Sequence, residues 1–148
     1  MNGDGPTDVS FTVIGHPEPG GSKRGIPTGE GVRIIDSNKK VMPWRALVSG
    51  AAHEAMNGAT PMRGALGLSL TFYAQRPRAH YGTGRNAGTV KPQAPRAPTV
   101  RPDVTKLTRA VEDACTSIVW RDDAQVVVQV ARKRYGTPER CEVQVRAL

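Results

Sequence analysis

Five carboxylic acids sit between positions 103 and 123: Asp103, Glu112, Asp113, Asp122 and Asp123. Upstream, from Glu54 to Asp103, no acid intervenes, while Arg63, Arg76, Arg78, Arg85, Lys91, Arg96 and Arg101 all fall there. Carboxylates gathered within a few ångströms repel one another unless a divalent cation lies among them, and Mg²⁺ is the hard cation that carboxylates and water suit. Unneutralised arginines attract a polyanion. Phosphodiester hydrolysis needs both: a metal to make hydroxide from water, polarise the P–O bond and hold the leaving oxygen, and cations to bring the backbone against acids that would repel it. Each acid also has a plainer reading. Asp103, after Pro102 and before a helix-forming stretch, is where an N-cap aspartate bonds free backbone N–H groups, and Asp122-Asp123 also suits a turn.

The elements that must position these acids can be read from hydrophobic spacing. Leu107, Ala110, Val111, Ala114 and Ile118 recur at helical intervals, so the sequence predicts an amphipathic helix over 104–117. Asp103 then marks its start, and Asp122-Asp123 opens a β-branched run over 125–132. A single helix joins the two acidic points, so the expectation is that they converge on one edge of the fold, with one of Asp122 and Asp123 facing Asp103. Further upstream, 9–14 and 65–73 alternate as strands and 42–56 has helical spacing, with Pro43 in its first turn and Gly58 as a stop. Ser22 to Gly31 reads as a basic loop carrying Lys23 and Arg24, with 32–35 a short strand closing a hairpin. Gly136-Thr137-Pro138 predicts a turn making a terminal hairpin of 125–132 and 142–146.

The whole chain is 148 residues with 21 Lys and Arg against 13 Asp and Glu, a net charge of +8 and a pI near 10.1. That length fits one domain, expected over 8–148 behind a disordered 1–7. Residues 77–102 hold five prolines and three glycines with no periodicity, and read as a mobile, purely basic arm touching a polyanion. No run approaches the roughly 18–20 apolar residues of a spanning helix, and the start has neither a basic n-region nor an apolar h-region. Cys115 and Cys141 match no zinc spacing and read as buried thiols of a cytoplasmic protein. His16, His53 and His80 lack ligand spacing. Tyr81 could stack on a base, and Trp44 and Trp120 read as packing residues.

Two motifs carry a resemblance. Arg101-Pro102-Asp103-Val104-Thr105-Lys106-Leu107-Thr108-Arg109-Ala110-Val111-Glu112-Asp113-Ala114, followed by Val119-Trp120-Arg121-Asp122-Asp123-Ala124-Gln125-Val126, resembles the RusA-type Holliday-junction resolvases. Their hallmark is Pro-Asp-x-Asp-Asn/Lys-Leu-x-Lys/Arg, a helix with Asp-Ala, then Asp-Asp-x-Gln-Val. The opening strand ending in a Gly/Pro-rich turn before a basic loop, and Arg132-Lys133-Arg134 near the end, are similar as well. The resemblance implies a small dimeric α/β enzyme that cuts opposing strands of four-way DNA junctions with Mg²⁺, Mn²⁺ substituting. It makes Asp103 and Asp123 metal-binding carboxylates and places Arg109 where the family has a basic residue, usually Lys, needed for activity. Asp122 matches a family position too, and Asp113 reads as structural. The family's second helix-start acid falls on Thr105, a far weaker Mg²⁺ ligand. Glu112, two turns on and nearly on the same helical face, is the candidate to compensate.

The sequence therefore leads to an α/β (α+β) fold, a mixed sheet of about four strands with two helices in β-α-β-α-β-β order, RusA-like. Function is expected to be a cytoplasmic, Mg²⁺-dependent, homodimeric endodeoxyribonuclease resolving branched DNA in recombination, repair or replication, in the host cytoplasm where phage-borne. Metal falls to Asp103 and Asp123 with Glu112 or Asp122, catalysis to these and Arg109, and DNA contact to Lys23, Arg24, Arg76, Arg78, Arg85, Lys91, Arg96, Arg101 and Lys106. The alternatives are a non-catalytic branched-DNA binder that kept the basic surface, and a basic RNA-associated protein with no preference for junctions.

Overall fold

A computed structural model describes residues 5–21, 23–36 and 38–148. In chain order they form β1 (Asp8–Ile14), β2 (Lys23–Thr28), β3 (Gly31–Asp36), α1 (Val41–Met56), β4 (Leu66–Ala74), α2 (Val104–Cys115), β5 (Val126–Tyr135) and β6 (Arg140–Ala147). Four strands make one mixed sheet in the order β1-β6-β4-β5, with β4 and β5 parallel and the other pairs antiparallel; β2 and β3 form a separate antiparallel hairpin. The α/β expectation, with two helices and a four-stranded mixed sheet, holds.

Alternation explains the layers. Leu66, Leu68, Leu70 and Phe72 on β4, Val9 and Val13 on β1, and Cys141, Val143 and Val145 on β6 all point to one face and are buried. Against that face α1 lays Trp44, Val48, Ala52 and Met56, and α2 lays Leu107, Ala110, Val111, Ala114 and Cys115, giving one hydrophobic core. Ser10, Thr12, Ser69, Thr71 and Gln144 line an open groove on the other face of the sheet. Burial at Cys115 pushes its thiol up to about 12, with Asp123 and Glu112 nearby adding to the shift, and burial raises Cys141 as well. No helix among the described residues is long and apolar enough to cross a membrane.

Four expectations change. Within 22–31, read as a basic loop, Lys23–Thr28 is strand β2, paired antiparallel with β3. The terminal hairpin is absent: β5 and β6 lie on opposite sides of β4, because the backbone N–H of Gly136 bonds to the carbonyl of Ala74 and the connection passes over the end of β4. The 77–102 segment is not a structureless arm. It holds two short 3-10 turns and a Tyr81–Val90 bridge, and its ends are tied back by Arg76 donating to the Pro95 carbonyl and Lys133 donating to the carbonyls of Val100 and Pro102. Helix α2 ends at Cys115, ahead of the expected Ser117, because Ser117 takes a left-handed φ of 74° and turns the chain. At the N-terminus residues 1–4 and Ser22 lie outside the description, whereas the Thr7 carbonyl already accepts from the N–H of Ala147.

Candidate metal centre and nucleic-acid interface

Helix α2 organises the acids. Its core positions leave one polar stripe, on which Thr105, Arg109, Glu112 and Thr116 follow one another at helical spacing. Asp103 caps the N-terminus: its Oδ1 accepts from the Lys106 N–H at 2.8 Å. At the other end Asp123 Oδ1 accepts from Thr116 Oγ1 at 2.6 Å and from the indole Nε1–H of buried Trp120 at 2.8 Å. The Glu112 carbonyl, 2.8 Å from the same oxygen, competes for that single hydroxyl proton. Asp123 is thus held beside the C-terminus of α2 by two side chains, Thr116 and Trp120.

Glu112 lies beside Asp123. Burial, then the charges of Asp123 and Asp113, hold its carboxyl above the ordinary value, partly offset by Arg109 and a hydrogen bond from Gln129 on β5. Asp113 turns the other way, toward Arg45 of α1 at 3.9 Å, as its structural reading expects. Asp122 caps the short turn 123–125, accepting from the Ala124 N–H, while the Gln125 side chain accepts from the N–H groups of Arg121 and Asp122 and donates to the carbonyls of Met62 and Gly64. That makes Asp122 a structural cap in this fold.

Asp103 and Asp123 do not meet within one chain. They sit at opposite ends of a helix whose caps are 103 and 116, about 20 Å apart at 1.5 Å per residue. The convergence expected from the sequence fails because α2 runs antiparallel to β5: its N-terminus lies against Lys133 and its C-terminus against the start of the strand. For the same reason Glu112 is not placed to stand in at Thr105; it joins Asp123. Among the described residues, no three His, Cys, Asp or Glu side chains of one copy come together as a metal cradle. One copy therefore offers two partial sites, Asp103 at one end and Glu112 with Asp123 at the other, with Arg109 between them.

Arg109 is steered by the N-terminal segment. Gly20 crosses α2 in contact with Ala110, its N–H bonded to the Lys106 carbonyl at 2.9 Å, and a side chain at Gly21 would overlap the Arg109 guanidinium. Gly21 also has φ +85°, a conformation that favours glycine. Of the expected DNA contacts, Arg78, Arg85, Lys91, Arg96, Arg101 and Lys106 are exposed. Arg76 is not: it is half-buried, stacks 4.3 Å over the Tyr135 ring and bonds to Pro95, so it holds the 77–102 segment instead. Lys23 and Arg24 stand on β2, and their side chains lie outside the described residues. Sequence reading missed Thr116 and Gln129, and the contacts of Lys133, whose partners are distant or across the fold. The Gly-Gly pair closing the opening turn was the one available signal for the Arg109 contact.

A two-layer α/β fold with carboxylates at both ends of one edge helix, a cation between them and a strongly basic surface defines a class of protein suited to nucleic-acid phosphates. The chain belongs to the endodeoxyribonuclease RusA family, whose profile matches residues 16–146. It is also similar to the uncharacterized protein YqaN of Bacillus subtilis (strain 168), 27% identical over 140 residues, covering 93% of this chain and 95% of that protein.

Proposed function

We propose that the protein is a Mg²⁺-dependent endodeoxyribonuclease that nicks branched DNA, four-way junctions above all, as a homodimer whose metal sites are shared between copies. The observation that carries this reading is the division of the acids between the two ends of α2, beside a strand edge open to a second copy. Among the described residues β5 pairs on one side only, with β4, and its Val127, Val128 and Val130 are 61%, 51% and 41% exposed. Native edges are ordinarily protected by charges, prolines or bulges; from Ala124 to Ala131 this strand carries no charge. Antiparallel addition of a second β5 about a two-fold keeps both α2 helices on one face and antiparallel. Asp103 of each copy then lies toward Glu112 and Asp123 of the partner subunit.

In that assembly Asp103 and Asp123 would hold the ion, with Glu112, beside Asp123, as a further carboxylate. Mg²⁺, when bound, supplies Lewis-acid polarisation of a phosphate oxygen and a more acidic water. The chain's own residues do the rest. Both described bonds to Asp123 fall on Oδ1, which leaves Oδ2 without a described protein donor and fixes the carboxylate's orientation. Arg109 holds the scissile phosphate, and Lys106, Arg101 and the exposed cations of 77–102 draw the DNA backbone past the acids. The test is a synthetic four-way junction with and without Mg²⁺ or Mn²⁺. Metal-dependent nicking, lost in Asp103→Asn with junction binding kept, is expected; nicking that survives this substitution contradicts the reading. Thr105 favours one rival, a junction binder that has lost catalysis, and that rival binds without nicking in any metal.

A further inference from the structure

A cavity of about 140 Å³ lies under the end of the 77–102 segment, walled by Pro17, Phe72, Pro98, Pro102, Leu107 and Tyr135. Three of its polar lining residues already bond within the chain. Glu139 bonds His16 Nδ1 at 2.7 Å, and Lys133 Nζ donates to the carbonyls of Val100 and Pro102 at 2.8 and 2.9 Å. What remains inside is apolar and aromatic, a lining for a flat ring and not for an ion. The Tyr135 ring is held in place by Arg76 at 4.3 Å and by the edge of His80.

The cavity does not stand alone. His16, Arg101 and Pro102 line it and also line a neighbouring open groove that runs past Lys40, Asp103 and Lys106. A chain lying in that groove meets three cations, Lys40, Arg101 and Lys106, the proposed metal ligand Asp103, and Glu18, which Asn38 and His16 already engage. Such a path suits a phosphate backbone. One step aside, at Arg101-Pro102, the apolar cavity opens. An engineered cavity of about 150 Å³ accepts benzene, so this one has room for a single six-membered ring.

We infer that the cavity receives one nucleobase turned out of the stack beside the cutting site, a single-ring base in preference to a double-ring one. The inference rests on the nuclease reading for its ligand. Extrusion is least costly where pairing is already broken, as at a branch point, and the cavity thereby couples strand position to base identity at the cut. An aromatic side chain of a protein partner has the same ring but not the charge that the three cations of the groove match.

The experiment places 5-fluoro-deoxyuridine singly at successive positions around the branch of a four-way junction and follows ¹⁹F NMR with the full-length protein in Ca²⁺, which blocks turnover. One position is expected to give a new resonance in the complex. Two cavity-filling variants, Ala74→Leu from the sheet side and Val100→Trp from the loop side, are each expected to abolish it while junction affinity stays within about threefold, since phosphate contacts carry most of the affinity. Using both guards against one variant misfolding. If the junction binds and every position keeps its unbound signal, or if the new resonance survives both fillings, the inference is wrong and the nuclease reading stands. If no junction binds at all, both fall.

Discussion

Asp123 shows how much of this site is decided by single donors. With Thr116 and Trp120 both aimed at Oδ1, the carboxylate cannot rotate to meet an ion by chance; it is oriented beforehand. Trp120→Phe removes the N–H together with part of a fully buried ring, so it is expected to cost about 2–3 kcal/mol in urea unfolding, more than the hydrogen bond alone. Below the unfolding transition it should lower nicking many-fold while junction binding is unchanged; equal nicking would show that the indole bond does not orient Asp123. Glu112 gives a pH signature. Its carboxyl is raised in the fold by burial and by Asp123, so the unfolded chain, ionising near 4.5, releases its proton first. Stability attributable to Glu112 therefore falls as pH rises from 4.5 to the higher folded value, and the deficit persists above it. Glu112→Gln escapes that fall, so its stability relative to wild type should grow with pH over that window, an effect solvent keeps small at a partly exposed group. A difference flat in pH contradicts the placement. The same substitution should cut metal-dependent nicking far more than Glu54→Gln does. At this scale the sequence was informative where residues act locally. Asp103 as an N-cap and Asp122-Asp123 as a pair follow from neighbours in the chain, whereas Gln129 reaching Glu112 and Trp120 reaching Asp123 depend on how α2 lies against β5.

The secondary elements divide the same way. Both helices and strands β1, β4 and β6 were legible because each buries one face, and a period of 3.6 or 2 records that burial in the residue order. Pairing was not. A Gly-Thr-Pro turn between two strands favours a hairpin by default, yet β4 separates β5 from β6, an outcome set by the long connection through α2 and not by the turn. The edge left by that order is the basis of the proposed dimer. Replacing Val128 and Val130 together by Lys should leave the fold intact, since both are largely exposed, and convert a dimer to a monomer in sedimentation velocity. Nicking should disappear with the dimer. A double variant that remains dimeric and active places the interface elsewhere.

For the molecule as a whole, the net charge of +8 is a statement about its partner more than about its fold. Composition conveyed that at once, but not which cations are available. Arg76 is engaged with Tyr135 and Pro95, while Arg78, Arg85, Lys91 and Arg96 face solvent on a loop that hydrogen bonds hold in shape. Changing those four to Gln should weaken junction binding at low salt and reduce the slope of log K against log salt by up to about four, near 0.9 per lost phosphate contact. An unchanged slope removes the loop from the interface. The acids, split between the ends of one helix, make sense as a catalyst only if two copies complete each other. That claim is tested most directly by co-expressing Asp103→Asn and Asp123→Asn chains and assaying nicking of a four-way junction in Mg²⁺. Each variant alone should be inactive. Mixed dimers should regain one intact site of two, about a quarter of wild-type sites after random pairing; a mixture as inactive as its parts would mean that the two aspartates do not serve one metal across the dimer.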